Sequence, residues 1–248
     1  MIRHSAWLQC RPSAEPARMR LFCLPHAGGG ASIFRAWAAS LPPYVQVCSI
    51  LLPGRESRST ELSYTDLAEL VDAIAAQSES WLDLPYAVFG HSMGSLLAFE
   101  WVRSLQREKR PMPGWLFLSG RRAPDGPADS YLLHALPDNE FVQELTRLYQ
   151  GIPAEILQYS ELMEVFLPIL RADIAVVESY RFQPGEPLDC PITVFAGTQD
   201  SSVTWNELLD WNRQTRARFA LQLLPGGHFY PPGPLLQTIS ATLSGLNL

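Results

Sequence analysis

The chain has 248 residues, 47% of them hydrophobic and 18% charged, and a net charge of −6. That composition belongs to a well-buried globular protein and excludes a fibrous or disordered one. No basic cluster is denser than Arg107 to Arg110, which argues against a nucleic-acid partner.

The first twenty residues carry Arg3, Arg11, Arg18 and Arg20 but no apolar stretch. They read as an N-terminal extension over 1–19, neither a secretion signal nor a membrane span. No later run is long enough to cross a bilayer, so a cytoplasmic location is the expectation. Four cysteines, Cys10, Cys23, Cys48 and Cys190, show no C-x-x-C spacing. Cys23 and Cys48 fall inside predicted strands, where they read as small buried thiols of a reducing compartment, and a structural metal is not expected.

From residue 20 onward the pattern predicts one domain, 20–248. Arg20 to Leu24 is a short apolar strand that runs into Pro25-His26-Ala27-Gly28-Gly29-Gly30. Three glycines after a strand let the backbone approach something closely. The absence of G-K-[ST] or G-x-G-x-x-G weighs against a phosphate cradle. His26 reads as a loop histidine bonded to backbone. Ser32 to Ala39 predicts a short helix, and Tyr44 to Leu52 a strand ending at Pro53-Gly54. Arg55, Glu56 and Arg58 then read as a salt-bridged loop rather than a substrate anchor. Tyr64 to Leu82 is helical, with Leu67, Leu70, Val71, Ile74 and Trp81 on its apolar stripe.

The stretch Tyr86 to Glu100 is a buried strand, then Gly90-His91-Ser92-Met93-Gly94, then a helix with Leu97, Trp101 and Leu105 at helical spacing. Strand, G-x-S-x-G, helix is the context that gives a nucleophile elbow its meaning. The serine of such a turn sits in a strained backbone, for which Gly90 and Gly94 leave room. Trp115 to Ser119 is a further strand.

Between 121 and 187 no strand is predicted. Asp138 to Tyr149 and Ser160 to Leu170 read as helices, the second broken or kinked at Pro168, and Asp173 to Tyr180 as a third. Such a helical insertion reads as a lid over one edge of the sheet. Cys190 to Ala196 is a strand followed by Gly197-Thr198-Gln199-Asp200, and Trp205 to Thr215 is helical. Phe219 to Leu224 is the last strand, followed by Gly226-Gly227-His228-Phe229, and Leu235 to Leu246 is the closing helix. The alternation predicts an α/β fold with a mostly parallel sheet and helices on both faces.

Ser92, Asp200 and His228 each follow a predicted strand. Because active sites of open α/β sheets lie beyond the carboxyl ends of the strands, all three should reach one rim. His228 would take the proton of Ser92, and Asp200 would fix its tautomer. The backbone N–H groups of Ala27 and Met93 are the expected oxyanion donors. Among rivals, His91 should point away from Ser92, His134 lies in the lid, and His4 is at a frayed terminus. Asp125 is the alternative acid, and Asp173 and Asp189 read as solvated or capping.

These motifs, with Leu24-Pro25-His26-Ala27-Gly28-Gly29, Leu52-Pro53-Gly54-Arg55 and Leu167-Pro168-Ile169-Leu170-Arg171-Ala172-Asp173, make the chain resemble the type II thioesterases of polyketide and nonribosomal peptide assembly lines, within the α/β-hydrolase superfamily. The likeness runs from about residue 20 to about residue 230. It implies Ser92, Asp200 and His228 as catalytic residues and hydrolysis of acyl thioesters on the phosphopantetheine arm of acyl or peptidyl carrier proteins. It implies an editing role, no cofactor of the enzyme's own, and a monomer. One departure is that Asp200 follows Gly197-Thr198-Gln199 where many relatives carry a further acidic residue. The competing readings are a carboxylesterase or lipase on the same triad, a non-catalytic carrier-protein-binding module, and a chain-releasing cyclase.

Overall fold

A computed structural model describes residues 5–126, 132–149 and 160–246. Seven strands form one sheet: β1 (Leu8–Cys10), β2 (Met19–Leu24), β3 (Val45–Ile50), β4 (Tyr86–His91), β5 (Trp115–Ser119), β6 (Ile192–Gly197) and β7 (Phe219–Leu224). Their order is β1-β3-β2-β4-β5-β6-β7. All neighbours pair in parallel except β1, which runs antiparallel to β3. The fold is the mostly parallel α/β sheet that the strand–helix alternation predicts. The central strands β2, β4 and β6 are buried on both faces at nearly every position, as crossover helices require.

The helices are α1 (Leu67–Ser78), α2 (Met93–Arg107), α3 (Asp138–Tyr149), α4 (Ser160–Ser179), α5 (Trp205–Leu209) and α6 (Pro232–Ser244). α1 starts on an Asp66 cap that accepts from the Glu69 N–H. α2 is buried along most of its length, with Trp101 set edge-on to Phe22 of β2 at 5.4 Å. On this face the core joins α1 and α2 to the strands, and a second core under α6 covers the other. A third, smaller cluster joins Leu133, from the 3-10 turn Leu133–Ala135, to Phe141 and Leu145 of α3 and Leu170 and Ile174 of α4. No helix among the described residues is long and apolar enough to cross a membrane.

Four expectations are corrected. β1 lies inside the stretch read as an N-terminal extension; three residues are too short to show a period. Its register sets Cys10 opposite Cys48, and the two form a disulfide, so Cys48 is not a thiol. Cys23 and Cys190 are free and buried, and burial pushes the Cys190 thiol up to about 12. Ser32 to Ala39 is two 3-10 turns, Ala31–Phe34 and Trp37–Ser40, rather than one helix. Finally, α4 runs from Ser160 through Pro168 to Ser179, so of the break or kink expected at Pro168 the break does not occur, and Asp173 to Tyr180 is not a separate third helix. Pro168 lies on the solvent side, while Leu170 and Ile174 pack inward. The inward packing carries the helix across the lost hydrogen bond. His4 lies outside the described residues.

Candidate active site

The end of β4 and the start of α2 meet at Ser92, whose φ of 54° and ψ of −114° lie in a region costly for a side-chain-bearing residue. Neighbours hold it there. The Ser92 N–H donates to Ser119 C=O at 2.7 Å, and Ser95 Oγ donates to Gly90 C=O and Ser119 C=O at 2.8 and 2.9 Å. Gly94 permits the close packing: a β-carbon there would stand 2.2 Å from Leu24 C=O, at the end of β2. The elbow is therefore pressed against the strand that leads into the glycine loop.

That loop is a turn in which the Gly29 N–H donates to His26 C=O at 2.9 Å, with Gly28 at φ +76°. Positive φ at the third position makes it a type II turn, and the Ala27 N–H plays no part in its closing bond. His26 Nδ1 donates to Ala27 C=O at 2.9 Å, the backbone-bonded role expected of it. Burial, the largest influence, lowers its pKa.

β6 and β7 deliver the other two groups. His228 Nδ1 donates to Asp200 Oδ2 at 2.9 Å, with both side chains nearly sealed from solvent. A carboxylate can only accept, so Nδ1 carries a proton, and Nε2 is the ring nitrogen that Asp200 leaves unengaged. Asp200 Oδ1 receives two donors from Ser202, the backbone N–H at 3.0 Å and Oγ at 2.6 Å; that Oγ also stands 3.2 Å from His228 Nδ1. Burial pushes the Asp200 carboxyl up, but the bond and charge of His228, with the two Ser202 bonds, leave it below its ordinary value. Sequence reasoning missed Ser202. Its position two residues after the acid, matching an Asx-type turn, was the available signal.

Ser92, His228, Ala27 and Met93 line one cavity of about 40 Å³. Its wall is apolar: Leu145 and Tyr149 from α3, and Leu170, Ile174 and Val177 from α4. The structure thus brings together four of the five residues singled out on the cavity surface, with Asp200 directly behind His228.

The rivals have other partners. Asp125 pairs with Arg213 at 3.3 Å. His134 pairs with Glu178 in the lid. His91 bonds Ser119 Oγ through Nδ1 at 2.6 Å, with its ring 5.1 Å from that of His228; its Nε2 is sealed without a partner among the described residues, and burial holds its pKa well below the ordinary value. Asp189 is exposed and pairs with Arg216.

Asp173 departs from expectation. Read as solvated or capping, it is only 2% exposed and meets Arg55 in a two-pronged ion pair, Nη1 to Oδ2 at 2.6 Å and Nη2 to Oδ1 at 2.7 Å. Residues 118 apart in sequence meet only through the tertiary fold, which is why neither pattern showed it. Arg58 pairs with Glu61, so the loop is ion-paired as expected, though not within itself alone.

Residues 19–243 match the family profile described as the thioesterase domain. The chain is 44% identical over 214 residues to the gramicidin S biosynthesis protein GrsT of Aneurinibacillus migulanus, covering 86% of this chain and 83% of that one. Among solved structures it is similar to RedJ, a thioesterase from the prodiginine biosynthetic pathway in Streptomyces coelicolor. That match has 37% identity and a TM-score of 0.84, covering 92% of this chain and 88% of RedJ. It is also similar to the type II thioesterase BorB from the borrelidin biosynthetic cluster, with 33% identity and a TM-score of 0.85 over 98% of each chain.

Proposed function

This chain is a member of the thioesterase family, a serine thioester hydrolase on the α/β-hydrolase fold, and from that premise we propose that it edits acyl chains held on carrier proteins. Its substrates are acyl thioesters on the phosphopantetheine arm of acyl or peptidyl carrier proteins in a polyketide or nonribosomal peptide pathway. It works as a monomer beside the carriers it clears and needs no cofactor of its own. The observation that carries the reading is the hydrogen bond from His228 Nδ1 to Asp200, with His228 lining one apolar cavity together with a serine on a strained elbow.

In the mechanism, Ser92 Oγ attacks the thioester carbonyl while His228 Nε2 takes its proton. Asp200 holds the imidazole tautomer and stabilises the imidazolium that forms. Charge develops on the former carbonyl oxygen and is met by the Ala27 and Met93 N–H groups; losing one such donor typically costs about 10²–10³ in rate. The leaving thiol has a pKa of about 8.5, so it departs readily and takes the His228 proton. Water then repeats the sequence on the acyl-enzyme, freeing the acid and Ser92.

The apolar wall suits an acyl chain, and the space limits its length. A water needs about 10–15 Å³ of such room, so about 40 Å³ admits only a short unit with α3 and α4 in this position. Acetyl and similar short groups, the products of premature decarboxylation, fit that space.

The test is mass spectrometry of carrier proteins loaded with acyl groups of graded length, before and after exposure to wild type and to Ser92→Ala. Wild type should strip short acyl groups fastest and Ser92→Ala should leave every thioester intact. Deacylation by Ser92→Ala at the wild-type rate refutes the mechanism. A strong preference for simple aryl esters over acyl-pantetheine refutes the substrate.

A further inference from the structure

The glycine turn and α4 are joined by more than contact. Phe166, Leu170 and Asp173 recur at spacings of four and three, so they project from one face of α4. All three reach the turn. A β-carbon on Gly28 would lie 2.7 Å from Phe166 Cζ and 3.3 Å from Leu170 Cδ1, so only glycine lets the helix settle this closely. Asp173 Oδ2 accepts the Gly28 N–H at 2.7 Å. Arg55 completes the junction, its Nη1 donating both to Asp173 Oδ2 and, at 3.0 Å, to Gly29 C=O.

The peptide groups on the far side of Ala27 are therefore fixed at three points: Gly28 N–H by Asp173, Gly29 C=O by Arg55, and Gly29 N–H by the turn itself. Two of the three depend on a carboxylate carried by the lid helix or on the arginine bound to it. Arg55 comes from the loop after β3 and is anchored there by its own Nε, which donates to Pro53 C=O at 3.3 Å.

We infer that Arg55 and Asp173 are positioning residues that set the oxyanion turn against the lid, so that the Ala27 N–H is correctly aimed only while α4 lies over it. Neither side chain touches the reacting atoms; both act through the turn. The inference rests on the proposed acyl-enzyme reading, in which Ala27 is an oxyanion donor. It adds that closing the lid and completing the oxyanion hole are one event.

Removing one partner strands a buried charge and threatens folding, so the decisive variant replaces both: Arg55→Met with Asp173→Leu, alongside Arg55→Lys. Three quantities are read on folded protein. The first is kcat and KM for acetyl-pantetheine. The second is the affinity of a trifluoromethyl ketone analogue, which adds Ser92 and places an oxyanion in the hole. The third is the affinity of a thioether analogue with no carbonyl. Misplacing a catalytic group by about 1 Å costs about 10²-fold, so the double variant should lose about 10- to 100-fold in kcat with KM unchanged. Ketone affinity should fall by the same factor and thioether affinity should hold. Arg55→Lys, keeping the charge but not the two-pronged geometry, should lie between.

A folded double variant with wild-type kcat and ketone affinity overturns the inference. So does an equal loss of both affinities, which would mean a deformed pocket. Ser92→Ala run beside them separates the two levels. If it abolishes hydrolysis while the double variant is unimpaired, the clamp alone fails. If it hydrolyses at the wild-type rate, the acyl-enzyme reading fails and takes the clamp with it.

Discussion

Replacing Asp200 by asparagine keeps shape and volume and changes only which hydrogen bonds the group can make. The amide has two orientations. Oδ1 receives two donors from Ser202, so turning the NH2 that way would oppose donor to donor and forfeit bonds worth about 1 kcal/mol each, more with the burial penalty. The carbonyl therefore stays with Ser202 and the NH2 faces His228 Nδ1. Nδ1 must then accept, its proton moves to Nε2, and the lone pair that should take the Ser92 proton is gone. Restoring the productive tautomer costs about 2–3 kcal/mol in mismatched bonds, and the imidazolium loses a charged partner worth about 1.5–3 kcal/mol. Together these predict a loss of about 10³–10⁴ in kcat, in line with the effect of this exchange in other serine triads. The assay is release of free thiol from acetyl-pantetheine, with thermal unfolding as the control for folding and Ser92→Ala as the floor. A folded Asp200→Asn enzyme within about tenfold of wild type would show that His228 is not oriented by this carboxylate, and the tautomer argument would be wrong.

Three further outcomes follow from neighbouring features. Ser202→Ala should cost only about fivefold in kcat, because the Ser202 backbone N–H still holds Asp200 Oδ1; steady-state kinetics on acetyl-pantetheine will measure it. Acidification should destabilise the fold through His91 and His26, whose pKa values lie below the ordinary 6.5. The unfolded chain binds protons there that the folded chain refuses, so stability is full above 6.5 and falls below it, by up to about 1.4 kcal/mol per pH unit per histidine. Asp200, lowered from 3.8, adds a further loss only below 3.8, under the range in which the histidines act. Melting temperatures from pH 8 to pH 4 should trace this decline, and His91→Asn should flatten it; an unchanged slope in that variant would contradict it. Pro168→Ala should restore the missing bond to Glu164 C=O within α4. That is worth up to about 3 kcal/mol, or about two orders of magnitude in amide exchange along the helix. Unaltered exchange would mean that the lid does not open through this point.

What could be read from the sequence was whatever depends on short-range pattern. The elbow was legible because its strand, turn and helix are contiguous, and β5 and β7 were legible to the residue because turn signals bound them. Ser92, Asp200 and His228 could be placed on one rim because parallel strands put their carboxyl ends together, a rule that needs no distances. What escaped was set by register or by opposition across the fold. The Cys10–Cys48 bond depends on an antiparallel pairing at the sheet edge. Pro168 was expected to break or kink α4 because propensity is local, and the helix is not broken there because packing of Leu170 and Ile174 on α3 holds it through. Asp173 looked like a surface acid because its partner lies 118 residues away.

That last partner also bears on why the junction between lid and turn is ionic at all. A buried ion pair adds little net stability, since desolvation offsets most of the attraction, and an apolar pair of the same volume would hold two elements together as well. An apolar pair could not, however, accept the Gly28 N–H or donate to Gly29 C=O, and both would be left unmade in a buried place. The lid has an apolar cluster of its own between α3 and the first part of α4, while the end of α4 is fastened to the core under α1 and α2 by Val176 and by the Leu67 N–H bond to Ser179 Oγ. Phe166 and Leu170 supply adhesion to the turn, and the ion pair supplies direction. On the proposed reading, in which α4 moves aside to admit a pantetheine arm, the turn would lose these outer hydrogen bonds and regain them once the helix settles over the acyl group. On that reading chemistry is confined to groups over which the lid can close, and the cavity beside Ser92 and His228, about 40 Å³ with α3 and α4 in this position, is what would set that limit.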